Sequence, residues 1–295
     1  MTPANLIQLF ALAAIWGASF LFMRIAAPVL GPALLTELRL LFAAAFLGLV
    51  AWAWRQPLQA HTRWRVYLVL GLLNSALPFL LLSFAATRLS ASLLSIMNAM
   101  APVFAALVAA VWLRESLSLR ALCGLLAGVC GVAILVGYDE HALQSKLAVG
   151  AALAGALCYG VASVYTKTIV NPPPPLAAAQ GSMWAAALLA APILPLTQSL
   201  PMPQASPGVW VATAALGIVS SGIAYLLYFR LIENVGATSA LTVTFLIPVF
   251  GVLWGTVFLG EQPGWHTLTG SLVILAGTAL VTGFSVQALL LPLRQ

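Results

Sequence analysis

The chain has 295 residues, 62% of them hydrophobic and 6% charged, and a mean hydropathy of +1.06. A soluble exterior needs about a quarter of its residues charged, so composition excludes a water-soluble domain and makes this a membrane protein. The net charge of +6 does not point to nucleic acid, because the twelve Lys and Arg are scattered at segment ends and form no basic stripe.

About 20 apolar residues are needed to cross a bilayer as a helix, and punctuation by Pro, Gly and charge predicts ten such spans. In chain order they are roughly 4–25, 33–54, 66–86, 91–113, 119–137, 147–168, 176–196, 208–230, 237–259 and 265–286. The first follows Met1-Thr2-Pro3-Ala4-Asn5 without a charged leader or a cleavage site, so it is expected to be retained. It carries Trp16, Ser19 and Phe20, and Arg24 lies near its end. Span two opens on Glu37 and Arg39, which are expected close enough to the outer interface to reach headgroups or to pair with each other or with Arg24.

Span three presents Asn74, Ser75, Pro78 and Phe79, and span four aligns Ser95, Asn98 and Pro102 at i, i+3 and i+7. Gly124, Gly128 and Gly131 give span five a small-residue face, either a scaffold contact or a dimer seam. A short polar linker, Tyr138 to Lys146, leads to span six with Tyr159 and Ser163, and the run Pro172 to Pro175 is a stiff connection to span seven. Span eight lines up Ser221, Tyr225 and Tyr228; span nine carries Leu241, Thr244 and Pro248; span ten carries Gly270 and Gly277.

The second half repeats the first. Moving 146 positions on, Pro102-Val103-Phe104 becomes Pro248-Val249-Phe250, and Gly71, Glu115, Gly124 and Gly131 become Gly217, Glu261, Gly270 and Gly277. Gly17 falls on Gly160 at the shorter offset of 143. We therefore divide the chain at 1–140 and 141–295. Five spans per unit is odd, so the second unit enters the membrane from the opposite side and the two are inverted. Arg55, Arg63, Arg65, Arg114, Arg120, Lys167, Arg230 and Arg294 fall on the side of the N-terminus, against Arg24, Arg39, Arg88 and Lys146 on the other, which predicts cytoplasmic termini. Asp139 and Glu140 then face outward.

Inverted repeats of odd helix number are the pattern of secondary transporters, whose site lies between the halves near the bilayer midplane. Trp16, Phe79, Tyr159, Tyr225 and Tyr228 are the candidate aromatic walls of such a site, and Asn74, Ser95, Asn98 and Thr244 its candidate hydrogen-bonding groups. A lone Ser or Thr in a span commonly bonds its own helix, whereas a buried amide requires partners. Pro78, Pro102 and Pro248 each free a carbonyl and are candidate hinges. Glu115 and Glu261, just ahead of spans five and ten, are expected to cap the helices that follow them.

Glu37 is the one carboxylate that could act deep in the membrane, so Glu37 and Arg39 are the candidate coupling pair and facilitated or weakly coupled transport is expected. The scarcity of cations disfavours a highly charged substrate. No P-loop, HExxH or Ser–His pairing suggests an enzyme. Cys123, Cys130 and Cys158 and the three His lack ligand spacing, so no disulfide, no metal and no cofactor is expected.

Ala14-Ile15-Trp16-Gly17-Ala18-Ser19-Phe20, Pro32 followed by Arg39, Ala101-Pro102-Val103-Phe104 through Glu115, and Ile247-Pro248-Val249-Phe250 through Leu259-Gly260-Glu261 together resemble the EamA-type ten-helix exporters of the drug/metabolite transporter superfamily. Within it the chain looks most like the YddG-type exporters of aromatic and other neutral amino acids. That resemblance implies a basket of two inverted five-helix repeats around a central cavity in the cell inner membrane. It also implies a small-molecule substrate, contact with lipid and a monomer or weak homodimer. Export of drugs, quaternary amines or nucleosides is the alternative, and a structural or lipid-interacting protein without turnover is the farther one.

Overall fold

The computed structural model describes residues 2–137, 140–197 and 204–283; the expectations for Tyr138, Asp139 and Arg294 lie outside them, as does that for the side chain of Glu140. Among the described residues all regular structure is helical. The ten spans are α1 (Pro3–Leu30), α2 (Pro32–Ala53), α3 (Ala60–Ala86), α4 (Ala91–Trp112), α5 (Leu119–Gly137), α6 (Lys146–Thr168), α7 (Pro175–Thr197), α8 (Pro207–Val235), α9 (Val243–Leu259) and α10 (Trp265–Thr282). Nine are long and apolar enough to cross a bilayer by themselves, and the 17-residue α9 is extended by the short turn Ala237–Ala240.

Thr2 caps α1 by accepting from the Asn5 amide at 3.3 Å, and Pro3 occupies the first turn, where a missing N–H costs nothing. The helix runs through Pro28 to Leu30, five residues beyond the predicted end. Gly31 alone, at φ 79°, joins it to α2, a left-handed conformation that favours glycine. Because α2 begins at once with Pro32, Arg39 lies about 10 Å along its axis at 1.5 Å per residue.

Four helices carry π-helical turns or breaks near the repeated motifs. Helices α3 and α8 contain wider π-helical turns at Leu72–Ala76 and Ala215–Ile223, which coincide under the repeat. Such turns widen the helix and re-aim its side chains, and they recur at functional sites. Helix α4 is interrupted at Ala99–Met100, between Ala91–Asn98 and Ala101–Trp112, just ahead of Pro102. The carbonyl of Ala99 freed there accepts a 3.0 Å bond from the buried Thr278 hydroxyl of α10, which spares it an unsatisfied position in the apolar interior. Helix α9 is interrupted earlier, at Leu241–Thr242, and carries Pro248 within its continuous part, so the two duplicated prolines occupy unlike surroundings.

Packing follows the duplication. Helix α1 lies on α9 as α6 lies on α4, α3 packs on α6 as α8 packs on α1, and α2 pairs with α7. The glycines of the repeated motifs mark the closest approaches. A Cβ on Gly17 would stand 2.6 Å from the Phe250 Cβ, and one on Gly160 would stand 3.0 Å from the Phe104 Cβ.

Helices α5 and α10 form a seam of their own. A Cβ on Gly124 would meet the Gly277 carbonyl at 2.6 Å, and one on Gly277 would meet that of Gly124 at 2.7 Å. Gly131 and Gly270 oppose each other in the same reciprocal way at 3.0 Å. Since Gly124 corresponds to Gly270 and Gly131 to Gly277, the pairing describes two antiparallel copies related by a twofold. The small-residue face is thus filled from within the chain, while Leu122, Leu126, Val129, Leu268 and Leu272 stay exposed on the outer faces.

Glu261 does not cap α10 as the sequence suggested. Its carboxylate accepts from the Ala91 amide at 2.7 Å, the Ser92 amide at 3.0 Å and the Ser92 hydroxyl at 2.5 Å, closing the N-terminus of α4 in the other half. With Ser90 accepting from Leu93, the first three amides of α4 are all bonded. Its counterpart Glu115 is exposed and accepts no hydrogen bond from a described residue.

Candidate functional site

The polar centre is built where α2 passes between the π-helical turns of α3 and α8. Arg39 is 5% exposed, so it is enclosed among the helices rather than reaching out to headgroups as the sequence suggested. Its Nε donates to the Ser221 Oγ at 3.0 Å, its Nη1 approaches the Met23 sulfur at 3.7 Å, and its guanidinium carbon lies 3.5 Å from the centre of the Phe79 ring. Phe79 and Ser221 are brought to it by the irregular helices: Ser75 and Ser221 occupy equivalent positions in the two π-helical turns, and Phe79 and Tyr225 follow one turn later.

Tyr225 accepts a 3.0 Å bond from the Asn74 amide nitrogen, joining α8 to α3. Tyr225 and Tyr159 both pack against the cluster that contains Phe79, the ring under the Arg39 guanidinium. Beyond them, Tyr225 stacks on Phe229 with ring centres 5.9 Å apart, Phe229 lies 6.3 Å from Tyr228, and Tyr228 lies 5.3 Å from Trp16 at a tilted angle. Trp16, Asn74, Phe79, Tyr159, Tyr225 and Tyr228 therefore form one group around a single buried cation. Met23 and Phe229 join it unannounced by the sequence, since an apolar residue in an apolar helix carries no signal of its own.

Ser95, Asn98 and Thr244 are placed elsewhere. Ser95 donates to the Ser92 carbonyl at 2.8 Å and packs where α4 crosses α9 at Gly251, and Thr244 donates to the Leu241 carbonyl at 2.8 Å. Both satisfy themselves on their own segments. Asn98, the last residue before the α4 interruption, has a buried Oδ1 without a hydrogen-bond partner. Pro78 lies just past the π-helical turn of α3, and Pro102 just past the α4 interruption.

Glu37 is 6% exposed and its Oε2 has no hydrogen-bond partner. Two residues apart on one helix, Glu37 and Arg39 do not face each other, and they form no ion pair. Arg24 instead donates to the Ala86 carbonyl at 2.9 Å, at the C-terminal end of α3. With Arg88 and Glu261 it lines an open concavity of about 540 Å³ that is separate from the aromatic group.

The EamA-like transporter family matches the chain twice, over residues 4–137 and 146–283. An uncharacterized transporter, YvbV, of Bacillus subtilis is 26% identical over 275 residues, 90% of this chain and 87% of its own. A probable terminal-alkyne amino-acid exporter of Streptantibioticus cattleyicolor is 27% identical over 201 residues, 68% of this chain and 67% of its own. The protein PecM of Dickeya dadantii is 25% identical across 92% of this chain and 90% of its own. One solved crystal structure shares the fold, with a TM-score of 0.62 at 23% identity, over 93% of this chain and 97% of that one. Duplicated sequence, reciprocal packing and a match to each half agree: the chain belongs to the EamA-like transporter family.

Proposed function

We propose that the chain exports small amphipathic metabolites across the inner membrane, with both termini cytoplasmic, and that aromatic and neutral amino acids are the substrates its centre fits best. The observation that carries this reading is the enclosure of Trp16, Phe79, Tyr159, Tyr225 and Tyr228 between the two inverted halves, with Asn74 and Ser221 as polar groups. Aromatic faces give an apolar side chain large dispersion contact, and the few polar groups orient its head. The relative named as an amino-acid exporter supports the same substrate class. Permanently cationic drugs and quaternary amines suit aromatic walls through cation–π attraction, but here Arg39 already occupies the Phe79 face and repels a second cation. Alternating access follows from rocking the halves, with the interruption ahead of Pro102, the helix at Pro248 and the turn at Pro78 as bending points.

The test is flux of labelled phenylalanine into liposomes holding the purified protein, with and without an imposed proton gradient. Saturable flux indifferent to the gradient is the expected result. Flux that follows the gradient assigns coupling to Glu37, the buried carboxylate. Absence of saturable flux for phenylalanine, leucine and alanine overturns the amino-acid reading.

A further inference from the structure

We propose that Arg39 is the anchor for an anionic group, so that the transported molecule carries a carboxylate and binds head-first against α2. The inference rests on the central transport site described above. A guanidinium is always charged and offers five N–H donors. In this structure Nε bonds Ser221 and Nη1 meets a thioether, a weak acceptor, which leaves the Nη2 donors without a protein partner among the described residues. The other neighbours, Phe79, Tyr159 and Tyr225, bring no carboxylate to it. A buried charge normally has a counter-charge, because desolvating it alone is costly. Arg39 has none: Glu37 faces another way, and α7, which packs on α2, contains no Asp, Glu, Lys or Arg.

A role confined to holding helices together does not account for this arrangement. One bond to Ser221 ties α2 to α8, and a neutral donor serves that purpose without a buried charge. A fork of donors with one side bonded and the other free is instead matched to a planar carboxylate. The adjoining rings of Phe79 and Tyr225 lie where the apolar remainder of such a molecule begins. Only the first half supplies the cation, so the site is polarised even though the fold around it is duplicated.

Counterflow of labelled phenylalanine in liposomes, challenged by 3-phenylpropionate, phenethylamine and 3-phenylpropanol, tests the anchor without any variant. Competition by 3-phenylpropionate and not by the amine or the alcohol is expected, and equal competition by all three overturns the proposal. Arg39→Gln, purified as a monodisperse species, is expected to raise the phenylalanine KM by about thirtyfold or more with a smaller change in maximal rate, the size typical for removing one member of a buried charge pair. Arg39→Lys restores part of the affinity, since charge is kept and the fork is lost. An unchanged KM in Arg39→Gln overturns the anchor. Should phenylalanine not be carried, thermal stabilisation of the wild-type protein by benzoate and lactate is measured against Arg39→Gln. Stabilisation that depends on Arg39 keeps the anion site and removes the amino-acid reading; no stabilisation by either carboxylate removes both.

Discussion

The α5–α10 seam and the polar centre are both made from duplicated elements, and they have opposite characters. At the seam Gly124 and Gly131 of one half meet Gly277 and Gly270 of the other reciprocally, each against the other's backbone carbonyl. At the centre the equivalent positions have diverged: Phe79 stands opposite Tyr225, and Arg39 is a charge with no equal in α7. Symmetry persists where the requirement is close packing, which either copy meets with the same residues. It is lost at the polar centre, where the requirement proposed is to hold a ligand that is not itself symmetric. Glu261 and Glu115 extend the contrast, being identical in sequence while one is bound to a helix terminus and the other is exposed.

The sharpest way to break the comparison is at the seam. Gly124→Leu or Gly277→Leu forces a side chain into a backbone contact of 2.6 to 2.7 Å, and the expected cost exceeds the about 1–3 kcal/mol typical of overpacking. Size-exclusion chromatography of the purified variants should show lost or aggregated protein, whereas Gly150→Leu, where a Cβ meets nothing within 4 Å, should behave as wild type. A well-folded, active Gly124→Leu refutes the seam.

Next in size is the helix terminus. Glu261→Gln should lower thermal stability by about 1–2 kcal/mol, because three charge-assisted bonds to α4 weaken together. Glu115→Gln should stay within about 0.5 kcal/mol, as surface changes do. Equal effects from the two remove the asymmetry between the ends. Smaller still is the bond that closes the aromatic group. A double-mutant cycle of Asn74→Ala and Tyr225→Phe, read from thermal stability, should give a coupling of about 0.6 kcal/mol, the average for side-chain hydrogen bonds within membranes. The smallest effect is expected at Ser95→Ala, whose hydroxyl serves only its own helix; transport should be unaffected, and a loss of affinity there returns α4 to the binding site.

Much of this was legible in the amino-acid order. Apolar length and punctuation are local properties, so the ten spans followed from it, as did the inverted duplication and the glycine face that became the seam. The aromatic residues of α1, α3, α6 and α8 were also separable, because helical spacing puts residues four apart on one face. Two kinds of detail were not legible. Spacing placed Ser95 and Thr244 on a face, but not the carbonyl of its own segment that each hydroxyl bonds. Glu261 stands next to α10 in sequence, yet it meets α4, because the halves interlock.

Sequence alone determined that this protein lies in the bilayer, that it is built twice in opposite senses, and which faces are small, aromatic or polar, since each of these depends on spacing within a single helix. Tertiary structure alone decided what surrounds Arg39. A first span ending near residue 25 leaves a loop ahead of span two; the helix instead continues through Pro28 to Leu30, Gly31 is the whole connection, and α2 carries the guanidinium to Ser221 of α8 and Phe79 of α3. Which carbonyls, rings and charges meet is set by how neighbouring helices terminate and cross, and no spacing within one helix encodes that.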